Sequence, residues 1–172
     1  MSANILDQFS THLKQTIAKS ISLAASESYS DVHPVHLLVA LLDENGSIGK
    51  EILHKVGIRR ELVERHLHPS KTGDGQILPA LNDASKHVLE KAMLLAYRTK
   101  SQHVGTEHLL FGLVDMKDAA IADILLSAKS SPEAVQEQIV TILESAQSFP
   151  DMEDIAEIME RFEEDIDDPH HD

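Results

Sequence analysis

The sequence predicts an all-α protein, two four-helix repeats related by pseudo-twofold symmetry and followed by a C-terminal acidic amphipathic helix. Two observations lead there. Apolar residues recur at i, i+3, i+4 rather than in alternation, in a chain with only 7 Gly and 6 Pro among 172 residues. The sequence also matches itself without a gap at an offset of about 72 residues. Val32 falls on Val104, His36 on His108, Leu37-Leu38 on Leu109-Leu110, Leu41 on Leu113, Asp43 on Asp115 and Ile52-Leu53 on Ile124-Leu125. Lys14, Lys19, Leu23 and Ala24 fall on Lys86, Lys91, Leu95 and Ala96.

The first helix of repeat one is read from Ile5, Phe9, Leu13, Ile17, Ile21, Ala24 and Ala25, and its partner from Leu81, Val88, Leu89, Ala92, Met93 and Ala96. The second helix, 37–42 and 109–114, is short and apolar all round, which places it at the centre of its repeat. Pro34 suits the first turn of that helix, and Thr106 offers a capping hydroxyl at the matching place. Ile48, Ile52, Leu53 and Val56 mark a third helix stopped by Gly57 as its C′ residue, matched by Ile121, Ile124 and Leu125. The fourth carries Leu62, Val63 and Leu67, matched by Val135, Ile139, Ile142 and Leu143. Ser131-Pro132-Glu133 opens the latter. The expected organisation is repeat one at 1–69, a turn-rich linker at 70–76, repeat two at 77–148 and a tail at 149–172.

Net charge is −14, and the tail holds most of it. Residues 151–172 carry eleven acids and one base, Arg161. Within them Ile155, Ile158, Met159, Phe162 and Ile166 form one helical stripe whose apolar face needs a cover, either the body of the same chain or, as a partner-binding face, a basic groove on another protein. Fold-back over the body is favoured by the short tail and its high local concentration. The acidic balance disfavours nucleic acid and anionic membranes, and 3% aromatic residues leave little to stack on bases. No Cys is present, so disulfides and thiolate sites are excluded. The start, Met1 to Asp7, has no export signal, and no apolar run approaches the roughly 18 residues of a span, so a cytoplasmic location is expected. No Walker, G-x-S-x-G or H-E-x-x-H motif stands in the chain, and no cofactor is expected.

The long helix, the stretch Val104-Gly105-Thr106-Glu107-His108-Leu109-Leu110-Phe111-Gly112-Leu113 and the Ile-Leu pair, all in two copies, resemble the Clp N-domain. This is the double repeat at the front of the Clp AAA+ unfoldases, especially the ClpC type. The resemblance spans roughly 5–146 and departs from the family at His33-Pro34-Val35. It implies a non-enzymatic interaction module that docks substrates, adaptors or Clp subunits for ATP-dependent unfolding or proteolysis. With no ATPase following, it further implies action in trans, similar in kind to the plastid ClpT accessory proteins. A structural accessory subunit of a Clp assembly and a small helical metal-dependent enzyme are the alternatives.

The resemblance also points to a phosphoarginine site at Thr106 and Glu107. A carboxylate pairs with the guanidinium, while a hydroxyl and the helix start receive the phosphate. Pro34 and Val35 hold the matching positions in repeat one and lack both groups, so one site per chain is expected, at Thr106 and Glu107. A helix cap with a first-turn acid accounts for the same two residues without a ligand. His36 and His108 are read as packed histidines whose rings bond a neighbouring carbonyl. Three or four convergent ligands for a metal cannot be assembled from the 11 His. Lys14/Lys86 and Lys19/Lys91 are read as a solvated helix face.

Overall fold

The computed structural model describes residues 5–67 and 78–148. The linker and the tail, including Ile155, Ile158, Met159, Phe162 and Ile166, lie outside the described residues. The chain divides into two units, Met1–Ile139 and Val140–Asp172. The division falls inside the last helix.

Within the first unit, a 3-10 turn at Ile5–Gln8 precedes α1 (Thr11–Ser26). There follow a two-residue strand β1 (Asp31–Val32), α2 (Pro34–Leu42), α3 (Ile48–Lys55) and α4 (Arg60–Glu64). Repeat two gives β2 (Ala80–Leu81), α5 (Asp83–Arg98), α6 (Thr106–Asp115), α7 (Ala119–Ser127) and α8 (Pro132–Ser148). The eight expected helices are therefore present.

The first helix begins later than its apolar spacing suggests. Ser10 takes the extended cap conformation and its hydroxyl accepts from the Leu13 N–H at 3.1 Å, so Phe9 stands outside the helix and Ile5 is exposed. Asn82, the repeat-two equivalent of Ser10, caps α5 in the same way, receiving the Ser85 N–H at 2.8 Å. The inner face of α1 is also more polar than expected. It buries Leu13, Thr16, Ser20 and Ala24. The Thr16 hydroxyl donates to the His12 carbonyl at 2.8 Å and the Ser20 hydroxyl to the Ile17 carbonyl at 2.6 Å, so neither is buried without a partner.

All nine residues of α2 are buried, as are Leu109, Leu110 and Leu113 of α6. An apolar surface all round leaves α2 no solvent face, and α2 and α6 form the centre of the fold. Pro34 occupies the first turn of α2, Gly57 ends α3 at φ +83°, and the Ser131 hydroxyl caps α8 through the Ala134 N–H at 3.1 Å. Ile48 is an exception to the third stripe, being exposed.

Extended pairing was not anticipated, and it ties the repeats together reciprocally. β1 pairs in parallel with β2, Asp31 opposite Ala80 and Val32 opposite Leu81. At the symmetry-related place Phe9 bridges Val104. The Asn82 N–H donates to the Val32 carbonyl at 3.0 Å and the Ser10 N–H to the Val104 carbonyl at 2.9 Å. Each repeat thus lends the segment before its long helix to the other. The four residues are equivalent pairs at the sequence offset, which is the pseudo-twofold relation seen in hydrogen bonds.

Candidate functional site

The site expected at the start of α6 is built around a glycine. Gly105 takes the cap position, and Thr106 is the first helical residue rather than the cap. A Cβ on Gly105 would fall on the carboxylate of Glu107, which folds back over the helix start. Freed from capping, the Thr106 hydroxyl accepts from the Gly49 N–H of α3 at 2.9 Å. Gly49 can come this close only without a side chain, since a Cβ would lie 3.0 Å from Thr106 Cβ and 2.8 Å from Leu41 Cδ1. Thr106 is thus a buried tie from repeat two to repeat one. Pro34, its counterpart, has no hydroxyl to make the reciprocal bond. Replacing Thr106 by valine is expected to destabilise the protein by about 1–3 kcal/mol, because the buried Gly49 N–H loses its acceptor. Thr106→Ser is expected to restore most of that, in paired urea titrations.

Glu107 is 13% exposed at its side chain, and its Oε1 lies 3.2 Å from His108 Nδ1. Burial pushes its carboxyl above the ordinary value, against a hydrogen bond to its own backbone that lowers it. The histidine contact is no ion pair, because His108 is neutral. Burial holds its pKa down at about 4.

The two matched histidines do their work through backbone amides, not carbonyls as the sequence suggested. His108 Nδ1 accepts from the Gly105 N–H at 2.9 Å, and His36 Nδ1 accepts from the His33 N–H at 2.8 Å. Each ring closes the first turn of its apolar helix from three residues inside. A lone pair at Nδ1 puts the proton on Nε2. In repeat two that proton meets Ser101 Oγ at 3.1 Å. In repeat one the equivalent of Ser101 is Tyr29, whose ring stands edge-on to His36 with centroids 4.4 Å apart, and His36 Nε2 has no hydrogen-bond partner among the described residues. His36 is likewise held at about 4, first by burial and then by the neighbouring His33.

Two further groups escaped the sequence reading. Lys19 and Lys91 are not a free solvated face. The Lys91 ammonium lies 2.8 Å from Asp115, while Lys19 lies 2.9 Å from Glu44 and donates to the Asp43 carbonyl at 3.0 Å. The matched Asp43 and Asp115 were the signal for this pairing. Glu44 is buried and is also met by His12 at 2.9 Å. Burial opposes its charge, but the bonds from His12 and Lys19 prevail and hold its carboxyl below the ordinary value. A cleft of about 340 Å³ lies between Gln8 and α5, lined also by Met93, Ala96, Tyr97 and residues 101–104. Tyr97 is exposed there, and Leu94 one turn away is half-exposed. Among the described residues no group of three or more His, Asp or Glu is placed to hold a metal ion, and no helix is long and apolar enough to cross a membrane.

Two reciprocally tied helical repeats, each built around a central apolar helix closed by a histidine, define a duplicated all-α repeat domain. The chain belongs to the Clp repeat N-terminal domain family, whose model matches residues 8–78 and 80–166. It is 29% identical over 170 residues to the chaperone protein ClpB of Mycobacterium leprae, covering 94% of this chain and 20% of that protein. The chain thus spans about a fifth of the length of that relative. Among solved structures, the N-terminal domain of Hsp104 from Candida albicans superposes with a TM-score of 0.69 at 21% identity, covering 78% of this chain and 91% of that one. The ClpV N-domain, solved in complex with a VipB peptide, superposes with a TM-score of 0.64 at 16% identity, covering 81% and 89%.

Proposed function

We propose that the chain is a non-enzymatic, cytoplasmic docking module that receives substrate, adaptor or Clp-subunit proteins for ATP-dependent unfolding or proteolysis. The family match over both repeats carries this reading. The ClpV N-domain that holds a VipB peptide supports a protein as the partner class. Exposed Leu94, Tyr97 and Leu126 supply apolar surface for such a partner. The reading takes 1–148 as the double repeat and 149–172 as the acidic tail, and it involves no cofactor, nucleic acid or membrane. Affinity capture from native lysate is expected to retain Clp ATPase or protease subunits together with client or adaptor proteins. Retention of no protein above background would overturn the reading.

The tail belongs to the same proposal. Its stripe of Ile155, Ile158, Met159, Phe162 and Ile166 is taken as a helix that docks a partner, with the acids contributing attraction. Deleting residues from Asp151 onward is then expected to weaken capture of the same partner, and raised salt to weaken capture by the full chain, since exposed charges are screened within about 8–10 Å. Equal or stronger capture by the truncated chain would remove the tail from the docking surface.

For the anionic tag, we propose one phosphoarginine site per chain, with Glu107 meeting the guanidinium. Thr106 is buried and its oxygen already serves Gly49, so a phosphate reaches its hydroxyl only by opening the contact of α3 with α6. Calorimetry with phosphoarginine is expected to give one site, lost in Glu107→Ala. Two equivalent sites, or binding unaffected by that change, would refute it.

A further inference from the structure

The turn between α2 and α3 holds an Asn45-Gly46 pair, and both residues are exposed. Gly46 sits at φ +82°, the left-handed region. Its nearest side-chain neighbour is the His12 ring, and a Cβ built there would still be 3.8 Å away. The Gly46 N–H makes no hydrogen bond among the described residues. The Asn45 Oδ1, by contrast, is engaged: it accepts from the Lys50 ammonium. An unengaged backbone nitrogen thus follows directly on a side-chain amide whose carbonyl is held by a cation.

We propose that Asn45 is a site of spontaneous deamidation through a cyclic imide, with Lys50 promoting the ring closure. The Gly46 backbone nitrogen attacks Asn45 Cγ and forms a new N–C bond. The bond from Cγ to the side-chain nitrogen breaks, and ammonia leaves with the proton given up by Gly46. Water then adds across one of the two imide carbonyls. Opening at one gives aspartate, and opening at the other gives isoaspartate with an extra backbone methylene. Gly at the following position removes the side chain that would otherwise crowd the attack. The Lys50 ammonium draws electrons from the Cγ carbonyl and stabilises the oxyanion that forms on Oδ1.

The other two asparagines provide internal references. Asn82 is followed by Asp83 and is held at both side-chain atoms, its Oδ1 by the Ser85 N–H at 2.8 Å and its Nδ2 at 3.1 Å from His33 Nδ1. Asn4 is followed by Ile5, a β-branched residue that crowds the nitrogen. The aspartate product keeps Lys50 as an ion-pair partner. The isoaspartate product lengthens the chain just before Ser47, whose hydroxyl caps α3 through the Lys50 N–H at 3.2 Å.

The test is ageing of the full chain at mildly alkaline pH, followed by peptide mass spectrometry. The peptide containing Asn45 is expected to gain about one mass unit and to split into aspartate and isoaspartate forms, ahead of those containing Asn82 and Asn4. Lys50→Met is expected to slow this roughly threefold, the effect of an exposed charge contact of under about 1 kcal/mol. Lys50→Arg, which keeps the cation, is expected to retain the rate. A rate at Asn45 no faster than at Asn82 overturns the site. An unchanged rate in Lys50→Met overturns the role given to the ammonium.

Discussion

Alanine in place of Gly112 is expected to remove about 3 kcal/mol or more of stability, a large part of what a domain of this size has. Gly112 lies on α6 where that helix meets α5. A Cβ there would fall on the carbonyl oxygen of Val88 and 3.2 Å from its carbonyl carbon and Cγ1. A flexible side chain can turn aside, but a helical carbonyl cannot move without displacing α5. The equivalent position in α2 is Ala40, which is buried with its methyl group in place. Ala40→Gly is therefore expected to cost only about 1 kcal/mol, mainly through helix propensity. Urea titrations of the two variants check the contrast. Equal, small losses would show that α5 and α6 can separate freely.

Acid is expected to weaken the fold by several kcal/mol before the carboxylates as a class are protonated. His36 and His108 have folded pKa values of about 4 against an ordinary 6.5. A base depressed in the folded state prefers the unfolded chain once protonated. Their contribution is complete above pH 6.5 and is lost as pH falls from there through about 4. Each ring is worth about 2–3 kcal/mol at the acid end. Burial of the rings is the main cause, and a proton on Nδ1 would in addition face the N–H that the ring now accepts from. Glu44, held low by His12 and Lys19, adds a loss as pH falls below its ordinary carboxylate range. Glu107 has the opposite sign. Its carboxyl is raised by burial, so its buried charge costs stability at neutral pH and that cost is relieved on protonation. Denaturant midpoints measured from neutral pH down to about pH 4.5 should fall, and the fall should be smaller in His36→Gln with His108→Gln. A flat profile in the parent chain would contradict this account.

Much of the fold was legible because it rests on repetition and on burial. Leu37, Leu38, Leu41, Leu109, Leu110 and Leu113 lie at matched positions in apolar runs, and all are buried. Features set by distant contacts were not legible. Nothing local marks Thr106 as a partner of Gly49, because each spacing alone suits an ordinary helix start. The early end of the apolar spacing at Phe9 could have been read from Ser10 and Asn82, two good capping residues in register. The carbonyl contact expected of the histidines failed because a helix start presents unpaired N–H groups, not carbonyls, to a ring three residues in. A neutral ring turns a lone pair, rather than a proton, toward the helix start.

The exchange of segments at Asp31–Ala80 and Phe9–Val104 bears on how the chain reaches its fold. Both pairings join residues far apart in sequence, on opposite sides of the linker. Loop closure must be completed before either can form, which raises contact order in a protein whose helices are otherwise local. Neither repeat owns its whole set of backbone partners. The nascent first repeat leaves the Val32 carbonyl without Asn82 and Ser85 until the second emerges. Helix formation in each half is local and is expected to be fast, while the inter-repeat pairings await both halves. The two repeats are therefore expected to cross the folding barrier as one cooperative body, and a chain cut between them is expected to lose the Asn82–Val32 and Ser10–Val104 bonds.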